Sequence, residues 1–133
     1  EFSYRHSLLQ DAPMIVTAAR FHFERGAPQE IRDKLHEYRE KRRAAQPETS
    51  QCAGSIFRNP PGGSAGRLLE SLGAKGMRVG GAEVSEKHAN FIINAGGVGA
   101  SDVKMLIVQL QELAMERAGI NLHPEVLFIG DWE

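Results

Sequence analysis

Apolar side chains recur at helical spacing in two long stretches of the chain. The first begins after Pro28, a residue suited to the first turn of a helix, and continues to about Arg43 with apolar positions at Ile31, Leu35 and Tyr38. The second follows Ser101, a candidate cap, and ends at Gly119. Its predicted apolar face comprises Val103, Leu106, Ile107, Leu110, Leu113 and Ala114.

Shorter stretches have the pattern that is typical of strands. Residues 14–24 place Phe21 and Phe23 on one side and His22 on the other, and residues 77–84, 91–94 and 126–129 are also predicted to be strands. A short helix is expected over residues 64–72, ended by Gly73. The order of these elements predicts an α+β domain.

The composition of the chain argues against nucleic acid and membranes as binding partners. The chain has 133 residues, a net charge of -1 and one cysteine. No global basic field favours nucleic acid, no apolar run approaches the roughly 20 residues that span a bilayer, and a lone cysteine fits a reducing cytoplasm. Because the chain starts at Glu1 in a segment that already has a structured pattern, we expect a fragment of a longer protein.

One loop carries candidate chemistry. In residues 52–59 (CAGSIFRN), Ser55 follows a glycine, and Arg58 and Asn59 could hold an anion or an amide. The spacing is not that of a hydrolase nucleophile elbow, so Ser55 is a better candidate for a proton donor than for a nucleophile. A turn with a polar rim is the structural alternative.

Other charged positions are open to two interpretations. The triplet at residues 41–43 (KRR) is either a solvated helix end or a phosphate clamp, and Glu125 is either an exposed carboxylate or an acid directed at a ligand. The five histidines lack metal-ligand spacing, so no metal site is expected. The glycines do not form a dinucleotide fingerprint.

Four segments in order resemble the UDP-N-acetylenolpyruvoylglucosamine reductase family. They are residues 2–7 (FSYRHS), 53–60 (AGSIFRNP), 80–94 (GGAEVSEKHANFIIN) and 124–130 (PEVLFIG). The resemblance implies a two-part flavoenzyme, with residues 1–26 as the tail of the FAD-binding half and residues 27–133 as the α+β substrate-binding C-terminal domain. It implies that NADPH reduces FAD and that UDP-N-acetylglucosamine enolpyruvate is then reduced to UDP-N-acetylmuramate for peptidoglycan synthesis.

The resemblance also assigns catalytic and cofactor roles. Ser55 matches the serine that protonates the intermediate, Arg5 the arginine that stabilises the enolate, and Glu125 the catalytic glutamate. Tyr4 and Arg5 match positions at the cofactor, which the missing half would mainly hold. These three catalytic groups are expected to converge on one pocket.

Substrate binding is implied for further residues. Asn59 matches a residue near the substrate diphosphate. Arg58 and one residue of the triplet at 41–43, for which we choose Arg43, are possible phosphate partners. His88 stands where some members have a glutamine at the substrate. Some members of the family carry an insertion with a tyrosine between the positions of Gly62 and Ala65, and its absence here indicates the shorter type of the enzyme. The alternatives are a non-catalytic UDP-sugar-binding fragment, when isolated from the FAD half, and a plain structural or interaction domain.

Overall fold

The computed structural model describes residues 2–48 and 51–132, and the chain divides into two compact units, Glu1–Asp33 and Lys34–Glu133. The first unit opens with an antiparallel hairpin of β1 (Phe2–Ser3) and β2 (His6–Ser7), followed by a turn of 3-10 helix at Leu8–Gln10. Helix α1 (Pro28–Ala45) begins in the first unit and continues into the second, as the apolar spacing predicted. Its predicted apolar side chains are nevertheless about half exposed or more.

The predicted strand over residues 14–24 is wrong, because these residues form neither helix nor strand. Ile15 is 89% exposed and Phe23 is 82% exposed. A strand needs a neighbouring strand for its backbone hydrogen bonds. Among the described residues of the first unit, the only ladder joins β1 to β2. An alternating pattern therefore did not suffice to form a strand here.

The second unit contains a four-stranded antiparallel sheet in the order β3-β6-β5-β4. Its strands are β3 (Cys52–Ser55), β4 (Arg78–Val79), β5 (Ala82–Val84) and β6 (Phe91–Asn94). The bounds of β6 agree with the prediction, and predicted strand 77–84 is a hairpin of two strands. Helix α3 (Ala100–Ala118) packs against β4, β5 and helix α2 (Ala65–Ser71).

The core of this unit lies between α3, α2 and the sheet. The predicted apolar face of α3 is confirmed: Leu106, Ile107, Leu110 and Ala114 are buried, and Val103 and Leu113 pack against them. They belong to one cluster with Ile56, Phe57, Leu69, Val84 and Leu122 from the rest of this unit. Burying each large apolar side chain contributes about 1.5–3 kcal/mol to the stability of the folded state. This cluster is therefore the hydrophobic core that stabilises the second unit.

Two details at element ends differ from the sequence prediction. Ser101 does not cap α3, because the helix begins at Ala100 and Gly99 is the cap residue. The N–H of Gly99 donates to the Asp102 carboxylate at 2.9 Å. The predicted strand at residues 126–129 is also wrong: these residues form no strand, and an isolated bridge between Phe57 and Pro124 lies just before them. Leu127 and Ile129 are each 85% exposed, since the chain leaves its neighbour after that bridge.

Candidate functional site

Ser55 is the last residue of β3 and lies at an irregularity in the pairing with β6. Cys52 faces Ile93 and Ser55 faces Phe91, so β3 carries one residue more than β6 over this interval. Gly54 accommodates it with a φ of 82°, a conformation that glycine adopts without steric strain. Such a bulge bends the strand and redirects its side chains. The half-buried serine therefore stands on a bulged strand, not in the tight loop that the sequence suggested.

Glu125 is brought next to this strand end by backbone pairing. Its N–H donates to the carbonyl of Ile56 at 2.6 Å, and the N–H of Arg58 donates to the carbonyl of His123 at 2.9 Å. These bonds flank the bridge between Phe57 and Pro124. Because Ile56 follows Ser55 directly, the structure places two of the three predicted catalytic residues at neighbouring backbone positions.

Asn90 holds the same segment from its other side, and the sequence had not singled it out. This residue is 4% exposed. Its Nδ2 donates to the carbonyl of Phe57 and its Oδ1 accepts from the N–H of Phe57, both at 2.9 Å. Its own carbonyl accepts from the N–H of Ile56 at 2.9 Å. The available signal was its place in the HANF stretch that carries the family resemblance.

His88 is half-buried next to Asn90 and packs against α2. Its Nδ1 accepts from the N–H of Asn90 at 3.1 Å, and its ring meets Phe91 edge-on with centroids 5.0 Å apart. A Cβ on Gly66 would stand 2.5 Å from Cε1 of the imidazole, so only glycine lets the ring lie this close to the helix. These contacts give His88 a packing role, and its contact with substrate remains a prediction.

Arg58 and Asn59 follow the paired segment and are both exposed. The Oδ1 of Asn59 accepts from the N–H of Ala65 at 3.1 Å, which closes the turn into α2. The turn fixes where the chain after Ser55 leads. Their role at a diphosphate stays a prediction.

A cavity of about 750 Å³ opens between the end of α1 and β3. Its helix side carries four basic side chains, and two carboxylates also line the cavity, Glu40 on the helix and Glu48 just after it. The basic residues are His36, Arg39, Arg42 and Arg43. The opposite side comes from Cys52, Gly54 and Phe91. Gly54 directly precedes Ser55, and Phe91 is the strand partner of Ser55. The cavity therefore reaches the strand that bears the serine, although Ser55 itself does not line the cavity.

Arg43 is held at this cavity by carboxylates. Its Nε donates to Glu48 and its Nη1 lies 3.5 Å from Oε1 of Glu40. The hydrogen bond and charge of Glu48, with a smaller contribution from Glu40, raise the pKa of Arg43. Its carbonyl accepts from Nζ of Lys87 at 3.0 Å. Within the basic triplet, Lys41 instead pairs with Glu37 and does not line the cavity.

Tyr4 and Arg5 lie in the first unit, at the turn of the β1–β2 hairpin. Arg5 has a φ of 57°, an uncommon value for a residue other than glycine. Its guanidinium carbon stands 5.9 Å from the centre of the Tyr4 ring, and both side chains are exposed. Because Arg5 and the Ser55–Glu125 pair belong to different units, their convergence on one pocket remains a prediction.

Comparison with known proteins decides the family. The protein-family model for the C-terminal domain of UDP-N-acetylenolpyruvoylglucosamine reductase matches residues 46–129 of this chain. These residues include Ser55, Asn90 and Glu125. The chain belongs to this reductase family. The resemblance seen in the sequence is therefore confirmed for the reductase C-terminal domain.

Individual reductases agree with the family model over nearly the whole chain. A reductase of Synechococcus sp. (strain WH7803) is 48% identical over 130 residues, covering 97% of this chain and 42% of the relative. One of Caldanaerobacter subterraneus subsp. tengcongensis is 44% identical over 131 residues, covering 98% and 43%. The chain thus spans less than half of the length of these reductases.

A solved reductase confirms the α+β fold. The crystal structure of UDP-N-acetylenolpyruvylglucosamine reductase from Thermus caldophilus is 40% identical, with a TM-score of 0.62 over 73% of this chain and 34% of that one. Among the described residues of the present chain, no helix has the length and apolarity needed to cross a membrane.

Proposed function

We propose that the full-length reductase carrying this chain converts UDP-N-acetylglucosamine enolpyruvate to UDP-N-acetylmuramate for peptidoglycan synthesis in the cytoplasm, with NADPH and FAD. The observation that supports this most directly is the hydrogen bond from the N–H of Glu125 to Ile56, at 2.6 Å. It holds a carboxylate residue beside the serine residue of the strand end, in a chain whose family is that of the reductase.

The reaction adds hydride and a proton across a carbon–carbon double bond. A bound flavin supplies the hydride. Negative charge then builds on the conjugated carboxylate, where a fixed guanidinium and an acidic carboxyl lower the barrier by preorganised electrostatics. We assign these two groups to Arg5 and Glu125, and the proton for the neighbouring carbon to the hydroxyl of Ser55.

The substrate's diphosphate is assigned to the basic cavity and the residues after the serine. Guanidinium groups form strong, paired hydrogen bonds with phosphate, and Arg43 lines the cavity that reaches β3. Arg58 and Asn59 follow Ser55 closely enough in sequence to bind the same substrate, and His88 is assigned a minor contact with it. The volume of this cavity, about 750 Å³, lies within the range of roughly 300–1,000 Å³ that is usual for small-molecule sites.

Part of the cofactor site fits residues of the first unit. Tyr4 and Arg5 present an exposed aromatic ring and a guanidinium from one tight turn, a pair suited to a planar, anionic group such as FAD. We propose that residues 1–26 complete the FAD-binding half and that residues 27–133 bind the substrate. The rest of the cofactor site is assigned to the part of the reductase that this chain does not include.

The test is NADPH oxidation by the purified full-length protein, with and without UDP-N-acetylglucosamine enolpyruvate, and identification of the product by mass. We expect oxidation that depends on this substrate and yields UDP-N-acetylmuramate. A protein whose flavin is reduced by NADPH but is not reoxidised by the enolpyruvyl substrate would contradict the proposal.

A further inference from the structure

We infer that Asn90 is a positioning residue, whose side-chain amide holds the backbone of Phe57 so that Ser55 and Glu125 face one substrate. The inference rests on the proposed function of those two residues and adds a requirement for the reaction. It concerns a buried amide that contacts neither reacting group through the bonds described above.

The geometry makes residues 56–58 the middle of a three-part arrangement. On one side, the Asn90 amide pairs with both the N–H and the carbonyl of Phe57 at 2.9 Å. On the other side, the carbonyl of Ile56 and the N–H of Arg58 pair with residues 125 and 123. The last pair between β3 and β6 is Ser55 with Phe91, so the side chain of Asn90 takes over where the ladder ends.

This arrangement requires an amide in particular. Phe57 is 1% exposed, so without Asn90 its N–H and carbonyl would lose their partners away from water. Alanine supplies neither group, while aspartate keeps the size and one acceptor but, when ionised, faces the carbonyl of Phe57 with an oxygen. Either change is expected to displace residues 56–58, and with them the position at which Glu125 docks beside Ser55.

The test uses the full-length reductase with Asn90→Ala and Asn90→Asp, with flavin content and melting temperature measured for each. Two steps are followed separately: reduction of the flavin by NADPH, and its reoxidation by UDP-N-acetylglucosamine enolpyruvate. We expect reoxidation to slow by about 10²-fold, the loss typical of a reacting group displaced by an ångström, while reduction by NADPH is unchanged.

Asn94→Ala is the matched control. Asn94 is the last residue of β6, the strand that follows Asn90, and its Oδ1 accepts from the N–H of Gly96 at 2.8 Å. Its loss therefore also removes a bond between an asparagine and the backbone. We expect Asn94→Ala to reoxidise at the wild-type rate. A comparable loss in Asn94→Ala and Asn90→Asp would show a general structural effect and overturn the inference.

A double-mutant cycle separates positioning from an independent contribution. If Asn90 acts through the proton donor, Asn90→Asp should slow reoxidation far less in a Ser55→Ala background than in the wild type. Full additivity, or wild-type reoxidation by Asn90→Asp, would overturn the inference. If Asn90→Ala fails to fold, Asn90→Asp, which keeps the volume, decides the question. A wild-type protein inactive toward the substrate would overturn the proposed function, and this inference with it.

Discussion

Two regions beside the cavity are held by different interactions: the helix side, at the end of α1, and a strand side that we define as residues 55–58, which follow the part of β3 that lines the cavity. On the strand side, residues 56–58 are fixed by backbone hydrogen bonds to Asn90 and to residues 123–125, and Ile56 and Phe57 are buried. On the helix side, Arg43 is exposed and held by ion pairs to Glu40 and Glu48. Buried hydrogen bonds set fixed geometry, whereas exposed ion pairs are weak and screened by salt. The strand side therefore suits the chemical step and the helix side suits attraction of an anion.

The largest expected effect tests the chemical role of the strand side. Ser55→Ala in the full-length reductase removes the proposed proton donor, and general acid catalysis contributes about 10²–10⁴-fold to rates. We expect substrate-dependent turnover to fall by that factor while reduction of the flavin by NADPH survives, as measured by stopped-flow absorbance. Ser71→Ala, on α2, is the control, since its hydroxyl donates to the carbonyl of Leu68 within the same helix. Undiminished turnover in Ser55→Ala would contradict the role.

The second prediction tests whether the strand side is anchored by the core. Phe57 is 1% exposed and packs in the hydrophobic core, so Phe57→Ala should lower the free energy of unfolding by about 3–5 kcal/mol. Leu127→Ala, at a position 85% exposed, should change it by roughly 0.5 kcal/mol or less. Urea denaturation of this chain followed by circular dichroism measures both. Similar losses in the two variants would mean that residues 56–58 are not anchored as described.

The sequence predicted this unit best where local periodicity coincides with burial. The face of α3 from Val103 to Ala114 was correct because a helix supplies its own backbone bonds and needs only one apolar side. Residues 14–24 and 126–129 were predicted as strands and are not, because a strand depends on a neighbour that its own pattern does not specify. Secondary structure therefore followed from periodicity only in part.

The candidate site depended on information of another kind. Ser55 and Glu125 were linked through the family resemblance alone, since no spacing rule connects residues so far apart in the sequence. The structure supplies the reason for their proximity in the pairing of Glu125 with Ile56. Asn90 was missed because a buried amide is recognisable only once its backbone partners are known. Gly54 was noticed as a loop glycine, although its role is to accommodate the bulge.

The third prediction tests the helix side through binding. Arg43→Ala should raise KM for the UDP-sugar substrate by about 5-fold, equivalent to roughly 1 kcal/mol for an exposed charge pair, with little change in kcat. The difference from the wild type should shrink as salt is added, because the interaction is screened. Arg117→Ala, which removes a charge from the last turn of α3, should leave KM unchanged. A fall in kcat at constant KM would place Arg43 in the chemical step and erase the contrast between the two sides.

The smallest effect concerns the ion pairs that support the helix side. On α1, the hydrogen bond and positive charge of Lys41 lower the pKa of Glu37 below its ordinary value of 4.5. A carboxyl whose pKa is lower in the folded state stabilises that state above the ordinary pKa, and this contribution is lost as pH falls through the folded-state pKa. Glu37→Gln should therefore lower the melting temperature slightly at neutral pH, and the difference from the wild type should vanish in acid.

Melting curves recorded from neutral pH to well below 4.5 give this difference directly, with Glu116→Gln on α3 as the control for removing one helix carboxylate. High salt should also reduce the effect of Glu37→Gln, because the pair is exposed to solvent. A difference that persists in acid and in salt would mean that Glu37 stabilises the helix by something other than its charge. The helix side would then share the fixed, salt-independent character of the strand side.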